Sequence, residues 1–160
     1  MDTRKHLYDL TKGFKTAMLI TREPDGSLHA RPMAVAEMKP DADAYFSTSI
    51  ESPKIAEIAA DPRVLITFQD GNTFAMIEGT ATVVRDRALI DRLWSEDWRL
   101  WFPEGKSDPT LCLLKVSAER GEYWDTSGTQ GIKFLFESLK AIAQGRQPVK
   151  DTAQNAKVTL

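Results

Sequence analysis

Cysteine and histidine are scarce: Cys112 is the single thiol, and His6 and His29 are the only imidazoles. A closed zinc site built from cysteine and histidine is therefore excluded, as is a disulfide framework, and a reducing compartment fits best. No metal centre is expected. No apolar run approaches the ~20 residues that a membrane span needs, and the opening Met1-Asp2-Thr3-Arg4-Lys5-His6 leads into no signal-peptide core. The expected location is the cytoplasm, with no membrane partner. A positive excess is missing too, since 21 Lys and Arg stand against 23 Asp and Glu for a net charge of −2. Nucleic acid needs a concentrated positive face, so it is not expected as a partner. The basic stretch from Lys133 to Leu160 reads more simply as a solvated helix face and tail. Nor is there a G-x-G-x-x-G phosphate loop. With so few nucleophiles and imidazoles, any demanding chemistry falls to an added cofactor.

What is present describes one ordinary domain: 160 residues, 42% hydrophobic and 28% charged, enough for a single core without covalent staples. Thr3 to Lys12 suggests a short helix with Leu7 and Leu10 on one side. From Phe14 the pattern turns extended. Phe14 to Arg22 and Leu28 to Met38 flank the turn residues Pro24-Asp25-Gly26-Ser27 and read as a hairpin, followed by a third strand, Ala44 to Ser49. Ser52-Pro53-Lys54 then marks a helix start, an N-cap residue before a proline suited to the first turn, and Ile55, Ala56, Ile58 and Ala59 supply an apolar stripe.

Strands resume at Val64 to Gln69 and Thr73 to Arg85. In the latter, Ala75, Ile77, Gly79, Ala81 and Val83 share one face, small enough to line a tight barrel. Asp86 to Trp94 reads as helical, Leu111 to Val116 and Gly121 to Trp124 as two further strands, and Thr129 to Ala143 as a helix. The aromatic group Trp94, Trp98, Trp101 and Phe102 is expected at an interface. The overall expectation is a mainly β fold with peripheral helices: a small closed or split barrel of six or seven antiparallel strands, spanning residues 1–144. Residues 145–160 are expected to form a flexible or partner-contacting tail.

Two features suggest where a ligand would sit. At Ser47 to Lys54, a strand end carrying Ser47, Thr48 and Ser49 runs into the helix start at Ser52 and Lys54. Free backbone N–H groups, hydroxyls and one ammonium suit a phosphate dianion, although a capped helix with a solvated lysine explains the same residues. In the strand His29-Ala30-Arg31-Pro32-Met33-Ala34, alternation puts His29, Arg31 and Met33 on one face. Pro32 implies an unpaired edge where backbone groups are free to meet a ligand. Arg31 either joins Lys54 in clamping a phosphate or forms an ion pair with Glu37, Glu23 or another carboxylate. Trp124, at a strand end before Ser127-Gly128, offers a flat ring. Cys112, within Leu111-Cys112-Leu113-Leu114, reads as buried packing. Glu104 and Asp108 either line the mouth of a site or are solvated loop residues.

The succession Arg31-Pro32-Met33, Phe46-Ser47-Thr48, Ser52-Pro53-Lys54, Trp101-Phe102-Pro103-Glu104-Gly105 with Asp108-Pro109, and Glu122-Tyr123-Trp124-Asp125 resembles the general stress protein branch of the pyridoxamine 5′-phosphate oxidase-like, FMN-binding split-barrel proteins. The resemblance runs over roughly Lys5 to Lys140. It implies a homodimer with two flavin sites at the subunit interface, FMN or FAD being the cofactor. Arg31, Pro32, Met33 and Ala34 would hold the phosphate and the ring. Ser47, Thr48, Ser52 and Lys54 would complete the phosphate pocket, and Trp124 would approach from the partner chain.

Departures from the true oxidases matter as much. The strand after Arg31 continues to Ala36-Glu37 where those enzymes place a lysine, and Asp125-Thr126-Ser127-Gly128 replaces their arginine and histidine motif. Without those cations a second phosphate has little to pair with, which argues against vitamin B6 oxidation. The expected function is flavin binding with redox exchange to an unidentified electron donor or acceptor. The alternatives are a non-catalytic flavin-binding or sensor module and a barrel without a cofactor.

Overall fold

Side-chain alternation in the extended segments sets the frame of the fold. The structure is a computed structural model and describes residues 2–127, 139–141, 143–145 and 155–160. Strands β1 (Thr16–Arg22), β2 (Leu28–Met38), β3 (Ala44–Ser49), β4 (Arg63–Asp70), β5 (Thr73–Val84), β6 (Leu111–Asp125) and β7 (Asn155–Thr159) form one antiparallel sheet in the order β3-β2-β1-β4-β5-β6-β7. A further pairing of β3 with the first part of β6 closes the six strands β1 to β6 into a barrel. Closure removes the exposed edges that an open sheet of this size would carry.

The inward rows are the ones that alternation predicts. Ala17 and Leu19 of β1, Ile66 and Phe68 of β4, Ala75, Ile77 and Ala81 of β5, and Leu114 and Val116 of β6 are buried together in one core. Helix α1 (Thr3–Thr11) lies against β5, β6 and β7 and puts Leu7 into this core, its start capped by the Asp2 carboxylate, which accepts from the N–H groups of Arg4 and Lys5. Helix α2 (Pro53–Ala60) begins at Ser52 with proline in its first turn, and Ile58 enters the same core. Its Glu57 meets the end of β1 and the first half of β2, so α2 covers the opposite end of the barrel.

The two strands expected at Leu111 to Val116 and Gly121 to Trp124 are one strand of 15 residues. A bulge explains the misreading. Gly79 pairs with Ala118 and Glu78 with Arg120, so Glu119 is left over and the polar run between the two apolar segments bends the strand without ending it. Gly79 makes the bend possible, because a Cβ there would stand 2.1 Å from the carbonyl oxygen of Ser117.

The tail expected over 145–160 ends in β7, which pairs with β6 from Arg120 to Trp124 and buries Val158. Its signal, Ala156, Val158 and Leu160, is too short to stand out in a sequence. The helix expected over Thr129 to Ala143 lies mostly outside the described residues.

The aromatic group is a second correction. Trp98 and Phe102 are buried with Tyr45, Ile90, Leu111 and Leu113 in a satellite core between the outer face of β3 and β6 and helix α3 (Arg87–Leu93), and Trp94 meets Trp98 edge-on at 5.6 Å. Only Trp101, with Leu100 beside it, keeps the exposure that an interface needs. No helix among the described residues is long and apolar enough to cross a membrane.

Gly79→Ala is expected to destabilise the fold by about 1–3 kcal/mol, because the new methyl meets backbone that cannot rotate away. Urea unfolding followed by tryptophan fluorescence measures it. An unchanged midpoint would mean that the crossing of β5 and β6 is looser than described.

Candidate functional site

The end of the barrel beneath α2 gathers charge because of how β2 is paired. Strand β1 flanks β2 from Leu28 to Ala34, whereas β3 meets only Val35 to Met38, with a bulge at Ala36. The first half of β2 thus has a free edge, as Pro32 implied. Along it every second residue turns its N–H and C=O away from β1 with no strand to receive them.

Register decides which side chains enter the mouth. His29 is opposite Thr21, Arg31 opposite Leu19 and Met33 opposite Ala17, and Thr21, Leu19 and Ala17 are all buried. His29, Arg31 and Met33 therefore share the inward face. Met33 is part of the core, while Pro32 and Ala34 fall on the outer face.

Arg31 is held on three sides. Its guanidinium donates to Thr21 Oγ1 at 2.6 Å, to Glu57 Oε2 at 2.7 Å and to His29 Nδ1 at 2.7 Å. Since a guanidinium only donates, Nδ1 accepts here and that contact is made by the unprotonated nitrogen. Thr21 Oγ1 also donates to Glu57 Oε2 at 2.5 Å. The Arg31 and Glu57 side chains are only 15% and 11% exposed, which makes this the most sheltered ion pair among the described residues. Burial pushes the Glu57 carboxyl upward, but the hydrogen bonds from Thr21 and Arg31 outweigh it and the pKa falls below the ordinary value. Glu37, the alternative partner suggested for Arg31, pairs with Arg92 at 3.3 Å.

Lys54 stands in a different situation. Its ammonium donates to Thr48 Oγ1 at 2.9 Å and Ser52 Oγ at 2.6 Å, and among the described residues no carboxylate lies within 4.0 Å of it. The Ser52 hydroxyl thus serves Lys54 and not the helix N–H groups, since it makes no capping bond of its own. Burial, and then the nearby charge of Arg31, lower the Lys54 pKa. The site therefore holds two neighbouring cations, one neutralised by Glu57 and the other met only by hydroxyls.

Arg31, Thr48, Ser52 and Lys54 are brought together as the sequence suggested. Ser47 is not: it follows Tyr45 onto the outer face of β3, while Thr48 follows Phe46 inward. Trp124 projects outward beside Phe74, opposite it on β5. That pair lies at the start of β5, about 30 Å of strand from the end where β5 reaches the mouth, so within one chain Trp124 is remote from Lys54. Asp108 accepts from Thr110 and holds a turn, and Glu104 is exposed. Cys112 is fully buried, and that burial pushes its thiol pKa up.

Sequence reasoning missed Thr21 and Glu57. Glu57 is three residues after Lys54 on α2, a spacing that puts both on one helix face, and this is the signal that could have found it. Glu23, His29 and Glu57 bring ligand-type atoms within 4.8 Å of one another. The cation already among them is Arg31.

Comparison with known proteins identifies the family. The family model described as "Pyridoxamine 5'-phosphate oxidase like" matches residues 2–149. The chain belongs to the pyridoxamine 5′-phosphate oxidase-like family. Within that family it is similar to general stress protein 26 of Bacillus subtilis, with 28% identity over 123 residues covering 74% of this chain and 85% of that protein. Protein bli-3 of Neurospora crassa is 29% identical over 121 residues, 68% of this chain but only 58% of the fungal protein's length. Among solved structures, the general stress FMN/FAD binding protein of Xanthomonas citri superposes with a TM-score of 0.66 at 31% identity, over 78% of this chain and 89% of that one. A Jannaschia structure named after general stress protein 26 covers the whole of both chains with a TM-score of 0.76 at 28% identity.

The depressed Glu57 pKa has a definite sign for stability. The stabilisation from its ionised form is present above the ordinary carboxylate range and is lost as pH falls through the folded-state value. Glu57→Gln is expected to cost about 1–2 kcal/mol at pH 7. The difference from wild type should shrink as pH drops from 6 to about 3, checked by urea midpoints at each pH. A difference that stays constant with pH would show that Glu57 is not ionised against Arg31.

Proposed function

We propose that this protein binds a flavin mononucleotide, with the phosphate at Lys54 and Arg31 and the ring along the free edge of β2. The observation that carries this reading is the half-buried Lys54 ammonium, next to a second cation and met only by the hydroxyls of Thr48 and Ser52. A dianion there relieves the cost of holding two like charges together, and the N–H groups at the start of α2 add further donors. The adjacent edge of β2, with its outward-turned backbone groups, offers hydrogen bonds to the rim of a planar heterocycle. FAD shares the same ring and a phosphate in the same place, so the site chemistry admits it as well.

Bound flavin would supply the electron transfer. The chain's own residues bind, orient and exclude water. Arg31 is fixed in place by Thr21 and Glu57 before any ligand arrives, which lowers the ordering cost of binding. The wider reading is a homodimeric general stress flavoprotein exchanging electrons with a small-molecule or protein partner. Its support is the relatives' names and the exposed Met18, Phe74 and Trp124 on the outer strand faces. With Trp124 remote from Lys54 in one chain, a second copy is what would bring it to the ring. The binding-only alternative is favoured by the lack, among the described residues, of a carboxylate within 4.0 Å of Lys54 and of an exposed thiol, Cys112 being buried.

An absorption spectrum of the purified protein, with mass analysis of the released chromophore, tests the cofactor directly. Lys54→Ala and Arg31→Ala are each expected to weaken FMN by about 10- to 100-fold while leaving riboflavin nearly unchanged. Equal losses for the two ligands, measured by fluorescence quenching, would remove the phosphate assignment. Anaerobic addition of NADH or NADPH separates the two activities: rapid bleaching supports a redox enzyme, and an inert flavin supports a binding module.

A further inference from the structure

A third cation, Arg85, stands at the same end of the barrel as Arg31 and Lys54. Arg85 follows the last residue of β5. The pairing of Val83 with Leu114 and Val84 with Leu113 brings it level with Cys112, and Cys112 in turn pairs with Thr48, the hydroxyl that accepts from Lys54 at 2.9 Å. The row Arg85, Cys112, Thr48 and Lys54 thus crosses three strands and reaches the start of α2. The alternation that turns Ala81 and Val83 inward carries Arg85 to the same side of β5.

Charge follows the same row. The positive charges of Arg85, Lys54 and Arg87 all bear on the buried Cys112 thiol, against the upward push of its burial. Arg87 is occupied, donating to the carbonyls of Lys106 and Asp108 at 3.4 and 3.2 Å. Asp86, next to Arg85, is occupied in capping α3 through the N–H groups of Ala88 and Leu89. Arg85 itself is exposed. Among the described residues it has no carboxylate within 4.0 Å and no hydrogen bond, the same condition as Lys54 with respect to acids. Arg31, Lys54 and Arg85 therefore form a series from sheltered to exposed around one end of the barrel.

We propose that Arg85 is a further phosphate-binding residue of this site, taking the solvent-facing oxygens of the flavin phosphate that Lys54 and Arg31 hold from the buried side. The proposal rests on the flavin reading given above and assigns it a residue that the sequence motifs do not mark. A guanidinium suits the role because it presents two parallel N–H donors to a pair of phosphate oxygens.

The test compares FMN and riboflavin binding to wild type, Arg85→Gln and Arg85→Lys by titration calorimetry at two salt concentrations, with thermal melts as a folding control. Arg85→Gln is expected to lower FMN affinity about tenfold, to leave riboflavin unchanged and to flatten the salt dependence, with only partial recovery in Arg85→Lys. An unchanged preference for FMN over riboflavin in Arg85→Gln would overturn the proposal. Full recovery in Arg85→Lys would overturn it too, marking a charge that acts through solvent without the paired contact. If wild type itself binds FMN and riboflavin equally, the failure belongs to the phosphate reading of the whole site and not to Arg85 alone.

Discussion

The pairing of β3 with the first half of β6 is the constraint on which the rest of the structure depends. Ala44 to Ser49 run against Leu111 to Val116 without a break, and this ladder turns a sheet into a barrel. On its other edge β3 meets only Val35 to Met38 of β2, with the bulge at Ala36, so the first half of β2 is left with a free edge. The same ladder sets Thr48 beside Cys112 and turns the chain into α2, whose first residues then lie across the barrel end. Opening this one pairing would undo the core, the free edge and the cationic mouth together.

Electrostatics at that mouth follow from burial and partnership. Arg31 and Glu57 are sheltered and mutually satisfied, with Thr21 and His29 completing the shell, so the pair acts as a fixed support. A sheltered pair of this kind adds little net stability compared with an apolar core, because desolvating both charges offsets much of their attraction. What it supplies is position. Lys54, by contrast, is half-buried without an acid within 4.0 Å among the described residues, and its pKa is lowered first by that burial and then by the nearby charge of Arg31. A site with one neutralised cation and one unneutralised cation carries net positive charge in a protein whose overall balance is −2. The attraction for an anion is therefore local, arising from placement and not from composition.

Much of the architecture was legible in the sequence where the local signal was strong. The strand Leu28 to Met38 and the strand Ala44 to Ser49 match their expected bounds, and Ser52-Pro53 marks the start of α2 to the residue. The misses share a cause. The polar run Ser117 to Arg120 looked like a turn because a bulge and a turn have the same composition, and only the pairing with Glu78 and Gly79 tells them apart. Strand β7 was too short to show a period, and its Val158 is apolar for the sake of a neighbour more than thirty residues away. Trp98 and Phe102 looked like interface residues because the outer face of β3 and β6 that covers them is distant in the chain.

The sequence by itself determined that one thiol and two imidazoles are all that the chain offers of those groups. It also determined which segments carry the ligand-type residues, because alternation within β2 and the proline-marked start of α2 are local properties. Tertiary structure decided how those residues are employed. Arg31 takes Glu57 and not Glu37 as its partner, Ser47 turns away from Thr48, and Arg85 arrives beside Cys112, all through strand register. Register is fixed by burying apolar rows across strands far apart in sequence, so the partner of a charged side chain is chosen by the core.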